Sequence, residues 1–154
     1  AAAQGGSSKD RARSVLVIRR RGHREVANHD ALLSGVAGVA NKTHSLKVHE
    51  PKGTPLADQL SSFADADAVV APHGAGLVLI LAMRRGSVVF EFLPRDAVNL
   101  CYMLMAAKLD LEYRCMLPPG STFRGRFNVD VAEVVRVFRD AMRMSGFLGV
   151  SAKL

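Results

Sequence analysis

The segment Ala68-Val-Val-Ala-Pro-His-Gly-Ala-Gly-Leu77, with Val78-Leu-Ile-Leu-Ala-Met83 directly after it, carries the most informative pattern in this chain. Its first part is apolar and β-branched, which is typical of a strand covered on both faces. Gly74 and Gly76 remove side chains where a ligand or a neighbouring strand must come close. The segment therefore predicts a buried strand, a glycine turn and a helix N-terminus whose free N–H groups suit a phosphate.

The glycine turn also has a purely structural interpretation. His73-Gly74-Ala75-Gly76-Leu77 lacks the third glycine of the dinucleotide fingerprint. Its glycines could serve only the packing of a helix onto a sheet. Phosphate binding and packing both stay open on these five residues alone.

Composition limits the class of protein. At 154 residues the chain is one ordinary domain, and 49% hydrophobic with 23% charged residues is typical of a globular protein. The longest apolar run, Leu77 to Met83, is too short to span a bilayer, and the first eight residues do not resemble a signal peptide. Since the first residue is not Met, a longer parent protein is one expectation.

The net charge of +7 calls for an anionic partner or a solvated basic surface. A nucleic-acid-binding module is one hypothesis, although only 6% of residues are aromatic and no zinc-finger or RNA-binding signature is present. A concentrated phosphate pocket is the other, because much of the excess charge lies in one cluster. That cluster comprises Arg11, Arg13, Arg19, Arg20, Arg21 and Arg24.

No motif predicts a metal site. Cys101 and Cys115 lack metal-ligand spacing and lie in apolar segments, so we expect buried free thiols. Asp65-Ala-Asp67 has the spacing of a metal-binding Asp-x-Asp motif, but it lies where a helix ends before a buried strand. We interpret it as structural.

Apolar strands alternate five times with helical patterns, which predicts an α/β fold with a Rossmann-like parallel sheet of about five strands and helices on both faces. Residues 1–13 are expected to be a disordered lead-in, 14–145 the domain and 146–154 a tail. The predicted strands are 14–18, 45–49, 68–71, 87–93 and 111–117. The predicted helices are 30–39 capped by Asn28, 55–64, the run after the glycine turn, 98–108, and a last helix capped by Asp130 and ending at Met144.

Ligands of parallel sheets bind beyond the carboxyl ends of the strands. That rule selects Arg19–Arg24 after the first strand, His73–Gly76 after the third and Glu91–Arg95 at the end of the fourth. We therefore expect these three segments to meet along one edge of the sheet.

The side chains in these segments suit a nucleotide. Arg20 and Arg24 are four residues apart and carry the guanidinium forks that match phosphate oxygens. His73 could hydrogen-bond a phosphate or a sugar, or be structural. Glu91 needs a partner in its apolar strand, either an arginine of the first loop or the hydroxyl groups of a ribose.

The chain resembles family 61 glycosyltransferases between about Val15 and Tyr113. The resemblance lies in Ile18-Arg-Arg20 with Arg24 and Asn28, then Asp58-Gln59, then Ala66–Leu77, then Gly86-Ser-Val-Val-Phe-Glu-Phe-Leu-Pro94. Arg19-Arg20 stands where the family often has Ser-Arg, and Met83–Gly86 replaces a Phe-x-Pro-x-Gly-like stretch. The family includes protein O-linked GlcNAc transferases, plant xylan arabinosyl- and xylosyltransferases, and bacterial capsular polysaccharide enzymes.

The resemblance implies a two-lobed GT-B-type fold, of which this chain is the C-terminal, nucleotide-sugar-binding half. It implies a UDP-sugar donor carrying GlcNAc or a pentose, a protein or glycan acceptor, and no metal cofactor. The general base is not identified and is expected in the N-terminal half. The implied donor-binding residues are Arg20, Arg24, His73, Gly74, Ala75, Gly76 and Glu91.

Two further expectations follow from the resemblance. Eukaryotic relatives act in the Golgi or endoplasmic reticulum, bacterial ones face the cytoplasm, and any membrane anchor would lie outside this chain. The alternative to a glycosyltransferase is a Rossmann-like nucleotide-binding domain of another enzyme, or the nucleic-acid-binding module considered above. Against a dinucleotide enzyme, the first strand is followed by arginines where that fold needs glycines.

Overall fold

A computed structural model of the protein describes residues 13–40 and 43–148. The strands are β1 (Ser14–Ile18), β2 (Glu25–Val26), β3 (Ser45–His49), β4 (Ala66–Pro72), β5 (Val88–Phe92), β6 (Glu112–Met116) and β7 (Arg126–Phe127). The helices are α1 (His29–Ala40), α2 (Leu56–Asp65), α3 (Cys101–Lys108) and α4 (Val131–Met144), with a 3-10 helix over Ala75–Ala82.

Five strands form one parallel sheet in the order β3-β1-β4-β5-β6. Every residue of β1, β4 and β5 is buried, which explains why these strands are apolar almost throughout. The predicted α/β fold with a Rossmann-like sheet is confirmed. Counted along the chain, the strands follow the doubly wound order 2-1-3-4-5, so the winding direction reverses between β1 and β4.

Helices cover both faces of the sheet, because successive strand residues point to opposite sides. On β1, Val15 and Val17 belong to the core beneath α1 and α4. Leu16 and Ile18 belong to the core beneath α2, the 3-10 helix and α3. These two apolar layers fix the positions of the strand ends.

The helix predicted after the glycine turn is present as a 3-10 helix. Leu77, Ile80 and Met83 are buried, as is Leu79, whereas Val78 and Leu81 are exposed. A repeat of three residues per turn places the first three side chains on one face, as 3-10 geometry requires. Three of the four buried side chains therefore follow the three-residue repeat, and Leu79 is the exception.

Three local predictions need correction. Helix α3 begins at Cys101, later than predicted, and the free cysteines Cys101 and Cys115 are exposed and not buried. Asn28 does not use its side chain to cap α1, because that amide pairs with the N–H and C=O of Val129 (3.0 and 2.8 Å). The cap at Asp130 is confirmed, since its carboxylate accepts from the N–H of Glu133.

The predicted lead-in over 1–13 lies outside the described residues except for Arg13, as does most of the predicted tail over 146–154. Of that tail, Phe147 and Leu148 pack against the core under α1 and α4. Within the described ranges, none of the helices has the length and apolar character needed to cross a membrane.

Candidate functional site

A cavity of about 450 Å³ opens at the carboxyl ends of β1 and β4, where the winding direction of the sheet reverses. Ligands of doubly wound sheets bind in the crevice at this position. Four segments line it: the end of β1 with its arginine loop, the loop after β3, the end of β4, and the glycine turn. The lining residues are Ile18, Arg19, Arg20, Arg21, Arg24, Glu50, Pro51, Lys52, Ala71, Pro72, Gly74, Ala75, Gly76 and Leu77.

Arg20 lies against the glycine turn. Its Nη1 donates a hydrogen bond of 3.4 Å to the carbonyl oxygen of His73. A β-carbon on Gly74 would collide with the same Nη1, so the absent side chain there makes room for the guanidinium. The expected meeting of the arginine loop with the glycine turn is thus present.

The neighbours of Arg20 have a different partner. Arg21 and Arg19 both face the carboxylate of Glu50, with nitrogen-to-oxygen distances of 3.1 and 3.8 Å. Glu50 therefore balances part of the positive charge at the rim, whereas Arg20 is directed to the glycine turn.

Arg24 shares the cavity with Arg20. Burial, and then the positive charge of Arg24, lower the pKa of the Arg20 guanidinium. Two cations that repel each other in a half-buried cleft are stabilised by an anion bound between them. This pair therefore favours an anionic ligand.

The glycine turn supplies backbone donors to the same cavity. The N–H of Leu77 bonds to the carbonyl of Gly74 at 2.9 Å and closes the first turn of the 3-10 helix. The preceding N–H groups, of Ala75 and Gly76, lie at the helix end, where no intrahelical acceptor exists. Both residues line the cavity, so its wall is electropositive from main chain as well as side chains.

His73 and Glu91 lie behind this wall, and neither side chain lines the cavity. The Nδ1 of His73 is 2.5 Å from Oε1 of Glu91, and the Tyr113 hydroxyl donates to Oε2 at the same distance. Glu91 is fully buried. Burial raises the pKa of its carboxyl, and the hydrogen bonds from Tyr113 and His73 oppose that shift.

Glu91 thus has neither of the partners considered from the sequence. Its two oxygens are bound to His73 and Tyr113, not to an arginine of the first loop, and they do not reach the cavity. Direct contact of Glu91 or the His73 ring with a ligand stays a prediction. What the structure adds is that Glu91 holds the ring of the residue whose carbonyl binds Arg20.

Two aromatic residues that support the site from outside the cavity were not predicted from the sequence. Tyr113 lies beside Glu91 because β6 pairs with β5 so that Tyr113 is level with Val89, two residues from Glu91 on the same face. Phe123, in the connection between β6 and β7, lies under the guanidinium of Arg24, with Cζ 4.1 Å from the ring centre. Neither residue belongs to a sequence motif. Their positions follow only from the strand register and from the path of the loop.

The Asp65-Ala-Asp67 motif lies at the opposite end of β4, consistent with its structural interpretation. Asp67 is buried, bonds to Arg84 and faces His44 Nε2 at 3.3 Å. Among residues 13–40 and 43–148, no cluster of three or more His, Cys, Asp or Glu side chains could hold a metal ion.

Comparison with known proteins gives one family. Among curated proteins, none matches the chain. The crystal structure of a diflavin flavoprotein from Nostoc sp. superposes with a TM-score of 0.49 at 11% identity, covering 86% of this chain and 90% of that one. The model of the family described as glycosyltransferase 61 matches residues 3–90, which include the arginine loop, the glycine turn and most of β5. The chain therefore belongs to the glycosyltransferase 61 family of transferase enzymes.

Proposed function

We propose that this chain binds the sugar-nucleotide donor of the transfer reaction, a UDP-linked GlcNAc or pentose, as the donor-binding half of a two-lobed GT-B-type enzyme. The observation that supports this most is the contact of Arg20 with Gly74 and the His73 carbonyl inside a cavity shared with Arg24. The cavity volume, about 450 Å³, is in the range of small-molecule sites.

The diphosphate of the donor would lie between the arginines and the glycine turn. Arg20 and Arg24 present planar forks that bind phosphate oxygens in pairs. Ala75 and Gly76 add main-chain N–H groups at a helix N-terminus. The donor-sugar end would then lie along the glycine turn, with His73 and Glu91 supporting that wall.

These groups would also assist the reaction. When the acceptor oxygen bonds to the anomeric carbon, the bond from that carbon to the phosphate oxygen breaks, and UDP leaves with the electron pair. Fixed cations and N–H groups lower the energy of that developing charge without reorganising. In the proposed reaction they do so without a metal. The acceptor proton goes to a general base, which we place in the opposing lobe.

A titration with UDP tests the proposal. We expect the wild-type chain to bind UDP, and Arg20→Ala and Arg24→Ala each to weaken binding by about tenfold or more, since charge-assisted hydrogen bonds are lost. Arg85→Ala is the matched control, because Arg85 is exposed and pairs with Asp110, beyond the opposite end of β5.

Parallel titrations separate the alternatives. A nicotinamide dinucleotide that binds better than UDP would indicate another nucleotide-binding enzyme. Binding to an oligonucleotide that falls steeply with salt, with no selective UDP binding, would indicate the nucleic-acid-binding module instead. Either result overturns the donor-binding proposal.

A further inference from the structure

We propose that Phe123 is a positioning residue that holds Arg24 toward the cavity, where Arg24 would bind the donor. This inference rests on the proposed function. Phe123 lies beyond the residues 3–90 that match the family model. The inference therefore assigns a role in the donor site to the later segment Ser121–Val129, which we name the clasp segment.

The first step concerns Arg24 itself. Its backbone has φ of 57°, in the left-handed region that residues with a β-carbon rarely adopt. The strained conformation needs support from its surroundings. That support comes from the clasp segment, because the N–H of Arg24 donates to the carbonyl of Gly125 at 2.8 Å.

The second step concerns the side chain of Arg24. Its guanidinium carbon lies 4.1 Å from the centre of the Phe123 ring, the geometry of a cation–π contact. Its Nε is buried and has no hydrogen-bond partner in the described part of the chain. The ring therefore restrains the guanidinium where polar partners do not, and the terminal nitrogens stay available to a phosphate.

The third step concerns the clasp segment, which is itself held on the arginine loop. β2 and β7 pair in parallel, Glu25 with Arg126 and Val26 with Phe127. The His23 ring bonds to the carbonyl of Arg124 at 2.8 Å. A third contact fixes Phe123 itself, because its N–H donates to the Asp96 carboxylate at 2.7 Å.

These contacts have a consequence for binding. An arginine side chain has many rotamers, and ordering it on binding costs conformational entropy. Holding the side chain in place beforehand removes that cost and raises affinity. Phe123 is 41% exposed, so truncating it changes the restraint on Arg24 more than it changes the core.

The experiment uses UDP and inorganic pyrophosphate as probes, with affinity measured by calorimetry. Phe123→Leu keeps an apolar side chain but removes the aromatic face, whereas Phe123→Tyr keeps that face. We expect Phe123→Leu to weaken the binding of both ligands by the same factor, about fivefold. Phe123→Tyr should keep the wild-type affinity. In an Arg24→Ala background, Phe123→Leu should have no further effect.

Leu104→Ala is the control, because Leu104 is an exposed apolar residue on α3, outside the site. If Phe123→Leu weakens UDP but not pyrophosphate, the ring stacks on the nucleobase itself and the positioning role is overturned. Independent effects of Phe123→Leu and Arg24→Ala in the double variant overturn it as well.

The same data separate this inference from the proposed function. A wild-type chain that binds neither UDP nor pyrophosphate overturns both. If the wild type binds and Arg24→Ala loses affinity while Phe123→Leu does not, the donor site stands and only the role of Phe123 is overturned. A thermal melt of each variant confirms that the comparison is made between folded proteins.

Discussion

The guanidinium of Arg20 occupies the space that a β-carbon would take at Gly74, and its Nη1 lies 3.4 Å from the carbonyl oxygen of His73. The glycine is needed for this approach and not for backbone conformation, because its φ of 163° is extended backbone that any residue adopts. An arginine after β1 and a glycine after β4 thus form one unit at the point where the winding of the sheet reverses.

This contact predicts the effect of Gly74→Ala. The new methyl group must displace the Arg20 guanidinium, the mobile end of a flexible side chain. We expect UDP affinity to fall about tenfold, as when a charge-assisted hydrogen bond is lost, with little change in melting temperature. Calorimetric titration and a thermal melt measure the two quantities.

Gly38→Ala is the control for Gly74→Ala, because a β-carbon there meets nothing within 4 Å. A second check uses Arg20→Ala as the background. Gly74→Ala should then cost no further affinity, since the displaced group is already absent. An equal loss in both backgrounds would show that Gly74 acts on the ligand by another route.

Tyr113→Phe tests the buried support behind the site. The substitution removes the hydroxyl that donates to Oε2 of Glu91 and leaves that buried oxygen without a partner. We expect the free energy of unfolding to fall by about 1–3 kcal/mol. Urea denaturation of both proteins gives the difference.

Tyr102→Phe is the matched control for Tyr113→Phe. Tyr102 is buried on α3, and its ring lies beside the ring of His73, with centroids 5.5 Å apart. Removing its hydroxyl keeps that contact, so the loss of stability should be smaller. Equal losses would mean that the hydrogen bond from Tyr113 to Glu91 does not contribute more to stability than the Tyr102 hydroxyl does.

The pH dependence of stability follows from Glu91. Burial raises the pKa of its carboxyl in the folded protein above the ordinary value of 4.5, so folding favours the protonated form. This contribution is fully present below about pH 4.5 and is lost as the pH rises through the folded-state pKa. We therefore expect wild type to lose stability relative to Glu91→Gln as the pH rises above 4.5.

Denaturation of wild type and Glu91→Gln across that pH range provides the measurement. Comparing the two proteins cancels most of the contributions of His29 and His44, whose pKa values burial lowers in the folded wild type. A gap that stays constant, or that grows in favour of wild type with rising pH, would show that the carboxylate is stabilised by its partners more than burial penalises it.

Glu50→Gln should have the opposite effect on binding from the arginine substitutions. Glu50 faces Arg21 and Arg19 at the cavity rim and is 45% exposed. Neutralising it leaves more positive charge near the proposed diphosphate, so we expect UDP affinity to rise by about threefold at low salt. The gain should shrink at high salt because the charges are solvent-exposed.

Titrations at two salt concentrations test the Glu50 prediction. Glu133→Gln is the control, since Glu133 pairs with Arg136 on α4, away from the cavity. Weaker binding by Glu50→Gln at low salt would show that Glu50 orders the arginine loop and that its charge matters less.

Much of the fold and part of the site could be predicted from sequence, because the pattern of each element reflects its burial. Residues 68–71 are apolar since β4 is covered on both faces, and the order of strands and helices predicts a parallel sheet. That sheet in turn predicts that Arg20, Arg24 and the glycine turn share one edge. Where the site lies was therefore predictable.

The tertiary structure decided what each side chain there contacts. Glu91 bonds to Tyr113 because the alternation along β5 and its register with β6 place the two side chains on the same face of the sheet, and the ring of His73, just after β4, bonds to Glu91 as well. Phe123 reaches Arg24 only because the chain returns about a hundred residues later to pair β7 with β2. A sequence pattern reports whether a residue is buried, whereas its partner depends on strand register and loop path, which long-range packing sets.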